Sequence, residues 1–335
     1  MEKKEIYDDQ LIVITGAAGF IGSAIVRYLN DRGFTNLLLV DDLKESNKWL
    51  NLRGKLFQHF ISKHELFQYL KGREKEIEAI LHLGACSDTT CRDGDYFMEN
   101  NYRFSVKLAE YALKNNHRFI YASSAATYGD GKLGFSDSHD LLSDLKPLNI
   151  YGYSKHLFDL WLMQQGALDQ VVGLKYFNVF GPNEFHKKRM ASMVYHMTPK
   201  IQSQGYVELF KSTEPEKFKD GEQCRDFIYV KDAAAFTCFF LDYHLNGIFN
   251  VGRGEAVSWN RISEAIFKAL NLPVDIRYVP MPKDLVEQYQ NYTMADLSKF
   301  QKSLKKREIE RIPLQTIEES VQDYVQNYLI KNETW

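Results

Sequence analysis

The sequence predicts an α/β fold: a doubly wound parallel sheet carrying a smaller, discontinuous α+β lobe toward the C-terminus. Three observations lead there. An apolar run at 11–15 (LIVIT) meets a glycine-punctuated turn and then a helical pattern. Further short apolar runs at 37–40, 79–83, 119–122 and 171–174 alternate with helical segments at 97–115 and 152–165. After residue 176 that rhythm stops. Strands that read as continuous apolar runs, separated by helices, require a parallel sheet covered on both faces.

In order along the chain, residues 11–15 form the first strand and a helix runs from Ser23 to about Arg32. Gly33 ends it, and Leu37–Val40 is the second buried strand, closing on Asp41. Strand, helix and strand within about 30 residues is the unit that opens such a sheet. The stretch 181–224 is rich in Pro, Lys, Glu and Phe and suits loops and short helices. Residues 226–251 return to strand and helix, and 256–335 are mostly charged and helical. The division expected is 1–176 plus about 226–252 for the sheet domain, with about 177–225 plus 253–335 forming the lobe.

At 335 residues the chain can bury a large core. A net charge of −2 argues against a nucleic-acid partner bound through a basic surface. No stretch approaches the roughly 18 apolar residues of a membrane span, and the N-terminus lacks the apolar segment of a signal peptide. The four cysteines show neither a CxxC pair nor zinc-like spacing. A cytoplasmic protein with reduced cysteines, no metal and no membrane partner is expected. With 20 Tyr and 22 Phe the aromatic content is high, and core and interface packing accounts for it.

TGAAGFIG (15–22) places Gly16, Gly19 and Gly22 at three-residue spacing between a strand and a helix. Gly16 permits a tight turn, Gly19 lets backbone approach a pyrophosphate, and Gly22 lets the helix pack against the strand. Free N–H groups at the helix start then favour the phosphates. About twenty residues on stands Asp41–Asp42, where an acid accepts hydrogen bonds from an adenosine ribose. A Rossmann-type dinucleotide site follows. Asp41 favours NAD, whereas Lys44, Lys48 and Lys63 could hold a 2′-phosphate and favour NADP; the residues alone leave both open.

YGYSK (151–155) puts Tyr151 and Lys155 one turn apart on one helix face. A tyrosine with a pKa near 10 is a poor base at neutral pH. A lysine ammonium about 4 Å away would favour the phenolate by roughly two to three pKa units. Tyr151 is thereby suited to take a proton from an alcohol as hydride leaves. The loop SSAATYG (123–129) offers Ser124 to the reacting oxygen, with Ser123 suited to capping a turn.

With TGAAGFIG, HLGACS (82–87), SSAATYG, YGYSK and YFNVFGP (176–182), the chain resembles the extended short-chain dehydrogenase/reductase family over nearly its whole length. Within it, HLGACSDTT (82–90), PLNIYGYSK (147–155) and KYFNVFGPNEFHKKRMASM (175–193) resemble the branch that epimerises ADP-heptose at C6. RDFIYVKD (225–232), GIFNVG (247–252) and YQNYTMADL (289–297) extend the likeness to both lobes.

The resemblance implies a tightly bound, recycled NADP, a ketone intermediate at C6, and a homo-oligomer. It implies two acid/base residues, Tyr151 and Lys187, with the adjoining Lys188 as the alternative to Lys187. It places the cofactor on Gly16, Gly19, Phe20, Ile21, Gly22, Asp41, Asp42, Lys48 and Lys63. The remaining cofactor positions are Leu83, Gly84, Ala85, Cys86, Ser87, Asn100, Tyr151, Lys155, Val179 and Lys187. The nucleotide sugar would meet Asn178, Arg189, His196, Phe210, Arg225 and Tyr289, with Arg225 suited to a diphosphate. Arg189, Leu83 and Asp42 depart from the usual residue at their places.

A 4-epimerase or 4,6-dehydratase of the same family is the near rival, and Ala125–Ala126 stands where a dehydratase needs acids. A plain carbonyl reductase would consume cofactor. A non-catalytic NAD(P) sensor is the rival of another class, and it would have no use for a Ser–Tyr–Lys set.

Overall fold

A computed structural model describes residues 9–88, 91–282 and 289–335. Its centre is a sheet of seven parallel strands: β1 (Leu11–Thr15), β2 (Leu37–Val40), β3 (His59–Ile61), β4 (Ile77–His82), β5 (Arg118–Ser124), β6 (Val172–Tyr176) and β10 (Gly247–Val251). Their order is β10-β6-β5-β4-β1-β2-β3. The order reverses between β1 and β4, so a crevice opens beyond the carboxyl ends of these two strands.

Helix α1 (Phe20–Asp31) packs on one face with the helix Val230–Asp242. Ala24, Ile25, Leu29, Ala233, Phe236 and Phe240 fill that layer. The helices Phe104–Lys114 and Ile150–Gln164 cover the other face through Leu108, Ala112, Phe158 and Leu162. Strands β1 and β2 are buried at every position, which is why they read as unbroken apolar runs.

The lobe has a core of its own around Phe180, Val194, Phe227, Ile266 and Val321. It holds a three-stranded sheet of β7 (Asn178–Phe180), β9 (Cys224–Tyr229) and β11 (Ala256–Ser258), and a parallel pair of β8 (Val207–Phe210) and β12 (Ile276–Val279).

Three features differ from expectation. Cys224–Tyr229 pairs within the lobe sheet, and its side chains alternate between the two cores, with Phe227 and Tyr229 in the lobe core and Ile228 in the large one. The helix Ser298–Lys306 belongs to the large domain, because Phe300 and Leu304 complete its core. Within the expected helix 97–115, Met98–Arg103 is a π-helical turn. Such a turn commonly marks a functional site.

Candidate active site

The crevice begins with the turn after β1. Gly16 has φ +67°, and a Cβ there would lie 2.7 Å from the Gly84 backbone. A Cβ on Gly22 would lie 2.2 Å from the Gly16 carbonyl oxygen. The first backbone groups of α1 carry no side-chain cap, since Gly19 is the residue before the helix. They are therefore free to meet an anion.

Asp41 closes this turn. Its carboxylate accepts the Ala18 N–H at 2.9 Å and pairs with the Lys48 ammonium at 2.6 Å. The Asp42 carboxylate accepts from the Ser62 hydroxyl at 2.7 Å and faces Lys63 at 3.7 Å. Burial pushes the Asp42 carboxyl up, but the Ser62 and Lys63 hydrogen bonds and the Lys63 and His64 charges hold it below its usual value. The Lys63 ammonium also donates to Asn100 on the π-turn.

A second wall is held by a buried relay. The Gly84 N–H donates to the Thr15 hydroxyl at 3.1 Å, which meets His82 Nδ1 at 2.6 Å. His82 Nε2 lies 2.8 Å from Ser105, whose hydroxyl donates to the Asn101 carbonyl. That direction makes Nε2 the protonated nitrogen and Nδ1 the acceptor. Asn101 clamps both the N–H and the carbonyl of Cys86 and reaches Ser154 on the 150–164 helix. No sequence motif pointed to Asn101; only the π-turn reveals it.

Burial, helped by the Lys155 charge, lowers the His82 pKa from 6.5 to about 3. The folded pKa is depressed, so its stability contribution is full above about 6.5 and falls as pH drops toward 3. Unfolding titrations should show a loss of about 2 kcal/mol from this group between pH 6.5 and pH 4.5. His82→Gln should flatten that slope, and an unchanged slope would assign the loss elsewhere.

The catalytic set comes from β5 and the 150–164 helix. Asn149 accepts the Gly152 N–H at 2.8 Å and so fixes where that helix starts, one residue before Tyr151. Along β5 side chains alternate: both serines border the cleft, but the Ser123 hydroxyl turns to Asp159 at 2.8 Å while Ser124 hydrogen-bonds Tyr151. The Lys155 ammonium donates to the Ala122 carbonyl at 2.8 Å.

The electrostatics correct one expectation. Burial raises the Tyr151 pKa, opposed by the Ser124 hydrogen bond, so the side chain is a neutral phenol. Burial also lowers Lys155 to about 8. The expected depression of Tyr151 by Lys155 is not a property of the chain alone, because burial outweighs the groups that would lower it.

Lys187 enters the same cleft, its ammonium 5.2 Å from the centre of the Phe20 ring. Burial lowers its pKa, and the Glu184 charge opposes the shift. Glu184 is wholly buried and accepts from the Ser192 N–H and hydroxyl, both at 2.6 Å, and from the Gly181 N–H at 3.2 Å. Asn183 spans the backbone N–H and carbonyl of Trp335, and Asn51 ties this loop to the Ala18 carbonyl. Lys188 has φ +51° and does not line the cleft.

The cleft has a volume of about 540 Å³. Every residue placed by resemblance around the cofactor lines it, from Gly16 through Asp41, Leu83–Ser87 and Asn100 to Lys187, and so does Ser124. Thr15, Ser46, Tyr96, Tyr176 and His186 also line it and were not anticipated. A glycine cradle that a Cβ would fill and an uncapped helix start suit a dinucleotide.

The six expected sugar-nucleotide contacts lie outside this cleft. Arg225 stacks over Tyr289 at 5.0 Å, and Trp259 donates to the Tyr289 hydroxyl at 2.8 Å. Phe210 is tied to the same strand region through Gln223. Asn178 is exposed on β7. Arg189 is exposed and lies 3.5 Å from Asp88. His196 lines a second cavity of about 640 Å³ with Arg53, Pro199 and Tyr328. Among the described residues no group of carboxylates, histidines and cysteines could hold a metal, and no helix is long and apolar enough to cross a membrane.

The model of the NAD dependent epimerase/dehydratase family matches residues 12–252. This chain belongs to that family. Its relatives within the family include the ADP-L-glycero-D-manno-heptose-6-epimerase of Fusobacterium nucleatum, 44% identical over 337 residues, covering 97% of this chain and 100% of that protein. The protein of that name from Nitratidesulfovibrio vulgaris is 42% identical over 324 residues, covering 95% and 98%. The crystal structure of the Helicobacter pylori ADP-L-glycero-D-manno-heptose-6-epimerase superimposes with a TM-score of 0.77 at 28% identity, covering 96% of each chain.

Proposed function

We propose that the protein inverts C6 of ADP-D-glycero-D-manno-heptose to give the L-glycero epimer, as part of activated-heptose synthesis for lipopolysaccharide core. The observation that carries this reading is the convergence of Tyr151 and Lys187, two separately mounted proton carriers, on one cleft. When bound there, a nicotinamide cofactor would supply the cleft with a hydride acceptor able to return the hydride later. Inversion demands that the C6 ketone be reduced on the face opposite to the one that lost hydride. The reacting oxygen then changes position, and one acid/base is poorly placed to serve both orientations.

Tyr151 takes the hydroxyl proton in one orientation, with Ser124 holding the oxygen and the Lys155 charge favouring the phenolate. Lys187 gives or takes the proton in the other, and burial eases release of its proton. The Glu184 carboxylate fixes the loop that aims it. Gly16, Gly19 and Gly22 would hold the pyrophosphate, and Lys48 and Lys63 favour a 2′-phosphate. Asp41 is already engaged by Ala18 and Lys48, so NADP suits this end better than NAD. The diphosphate of the sugar nucleotide would fall to Arg225 in the lobe.

The test is incubation of the purified protein with ADP-D-glycero-D-manno-heptose without added cofactor, following C6 configuration by NMR and absorbance at 340 nm. The expected result is conversion to the L-glycero epimer with no lasting absorbance change. Absence of conversion by folded, cofactor-loaded protein would point to another nucleotide sugar, and net absorbance change to a reductase.

A further inference from the structure

Beneath the cleft lies an ion pair that the proposed proton transfers do not use. Asp159 and Lys175 are both fully buried, 3.6 Å apart. The Asp159 carboxylate accepts from the Tyr121 and Ser123 hydroxyls, each at 2.8 Å. The Lys175 ammonium donates to the Thr127 hydroxyl at 2.8 Å and sits 4.6 Å over the Tyr128 ring. Thr127 in turn donates to the Ser124 carbonyl at 2.8 Å.

Replacing such a pair by well-packed apolar residues is often neutral or stabilising. Stability is therefore a weak reason for burying two charges here. Their placement supplies a better one. Asp159 stands one helical turn beyond Lys155 and two beyond Tyr151, on the same face. Through Ser123 it holds β5, and through Lys175 and Thr127 it reaches the turn that presents Ser124. One pair thus touches every element that carries the catalytic set.

We propose that Asp159 and Lys175 form a positioning pair that fixes Ser124 against Tyr151 and keeps Lys155 charged. Burial works against the Lys155 ammonium, and the Asp159 charge is what opposes it. Lys175 is the cation paired with Asp159 in this buried layer, so basic and acidic side chains alternate from Lys155 through Asp159 to Lys175. Among the described residues, the other groups around the chain of charges contribute no competing anion next to Lys155. His82 on β4 is neutral, Tyr151 and Cys86 are protonated at the cleft, and burial lowers His156 on the same helix. Tyr121, Tyr128 and His139 face Asp159 as neutral groups, and Asp137 is the other carboxyl near Lys175.

This inference rests on Tyr151 and Lys155 acting as proposed, and its test separates the two. kcat for C6 inversion is measured against pH, with thermal unfolding, for wild type, Asp159→Asn, Asp159→Asn/Lys175→Met and Tyr151→Phe. The high-pH limb, where Lys155 loses its charge, should move about one pH unit lower in both Asp159 variants. The double variant should regain thermal stability without regaining the wild-type limb. A limb at the wild-type position in either folded variant overturns the pair's role, as does a double variant that recovers both readouts. If Asp159→Asn fails to fold, the double variant decides alone. Full activity in Tyr151→Phe would remove the catalytic reading itself and the inference with it. An inactive Tyr151→Phe beside an unmoved limb removes only the inference.

Discussion

Tyr151→Phe should lower kcat for inversion by roughly 10²–10⁴-fold and leave KM within a few-fold of wild type. Phenylalanine keeps the ring that fills the cleft wall and removes only the hydroxyl that meets Ser124. No neighbour can take over. Lys155 is bonded to the Ala122 carbonyl, and Ser124 lacks a base of its own. Lys187→Met should produce a loss of similar size for inversion, because one of the two substrate orientations then has no proton carrier. The pair of variants, assayed for inversion by NMR, discriminates sharply. If each leaves inversion intact, the two-base reading is wrong. If only Lys187→Met does so, Tyr151 serves both orientations.

The second large effect is expected at Gly16. Gly16→Val should yield protein that retains no dinucleotide through purification, measured by absorbance and mass of the released nucleotide. The φ of +67° is strained for any residue with a Cβ, and a β-branched one is worst placed there. The new Cβ would also meet the Gly84 backbone at 2.7 Å, and neither strand end can move without disturbing the Thr15–His82 relay. Gly33→Ala is the control. It shares a positive φ of +88° but has nothing within 4 Å, so it should cost about 1 kcal/mol and keep its cofactor. Cofactor retained by a folded Gly16→Val protein would show that the turn does not bind the pyrophosphate.

The parts of this molecule most legible in the sequence are those governed by local rules. LIVIT and LLLV coincide with β1 and β2 because strands buried on both faces must be apolar throughout. TGAAGFIG and YGYSK are compact strings whose chemistry depends on neighbours a few residues apart. Long-range geometry was legible only in outline, as the return of about 226–252 to the sheet domain without the strand it pairs with. Nothing local says that β10 returns to pair with β6 after the chain has built much of the lobe, or that Phe300 and Leu304 complete the large core. β8 and β12 hid in charged sequence because their exposed positions dilute the apolar signal. Asn101 and Glu184 escaped notice because a buried polar residue is defined by its partners, which here come from distant segments. Lys187 could be distinguished from Lys188 only by which one faces the cleft.

The return of β10 shapes the birth of the molecule as well as its form. During synthesis β6 is complete at Tyr176, yet its partner begins only at Gly247. At roughly 5–20 residues per second the intervening chain takes roughly 4–14 s to emerge. Throughout that interval the growing sheet ends in an apolar parallel strand with half its backbone groups unmatched, the kind of margin on which nascent chains stick to one another. The catalytic helix is already made by then, so the half of the protein that holds Tyr151 waits, with an unguarded flank, for a strand the ribosome has not yet written.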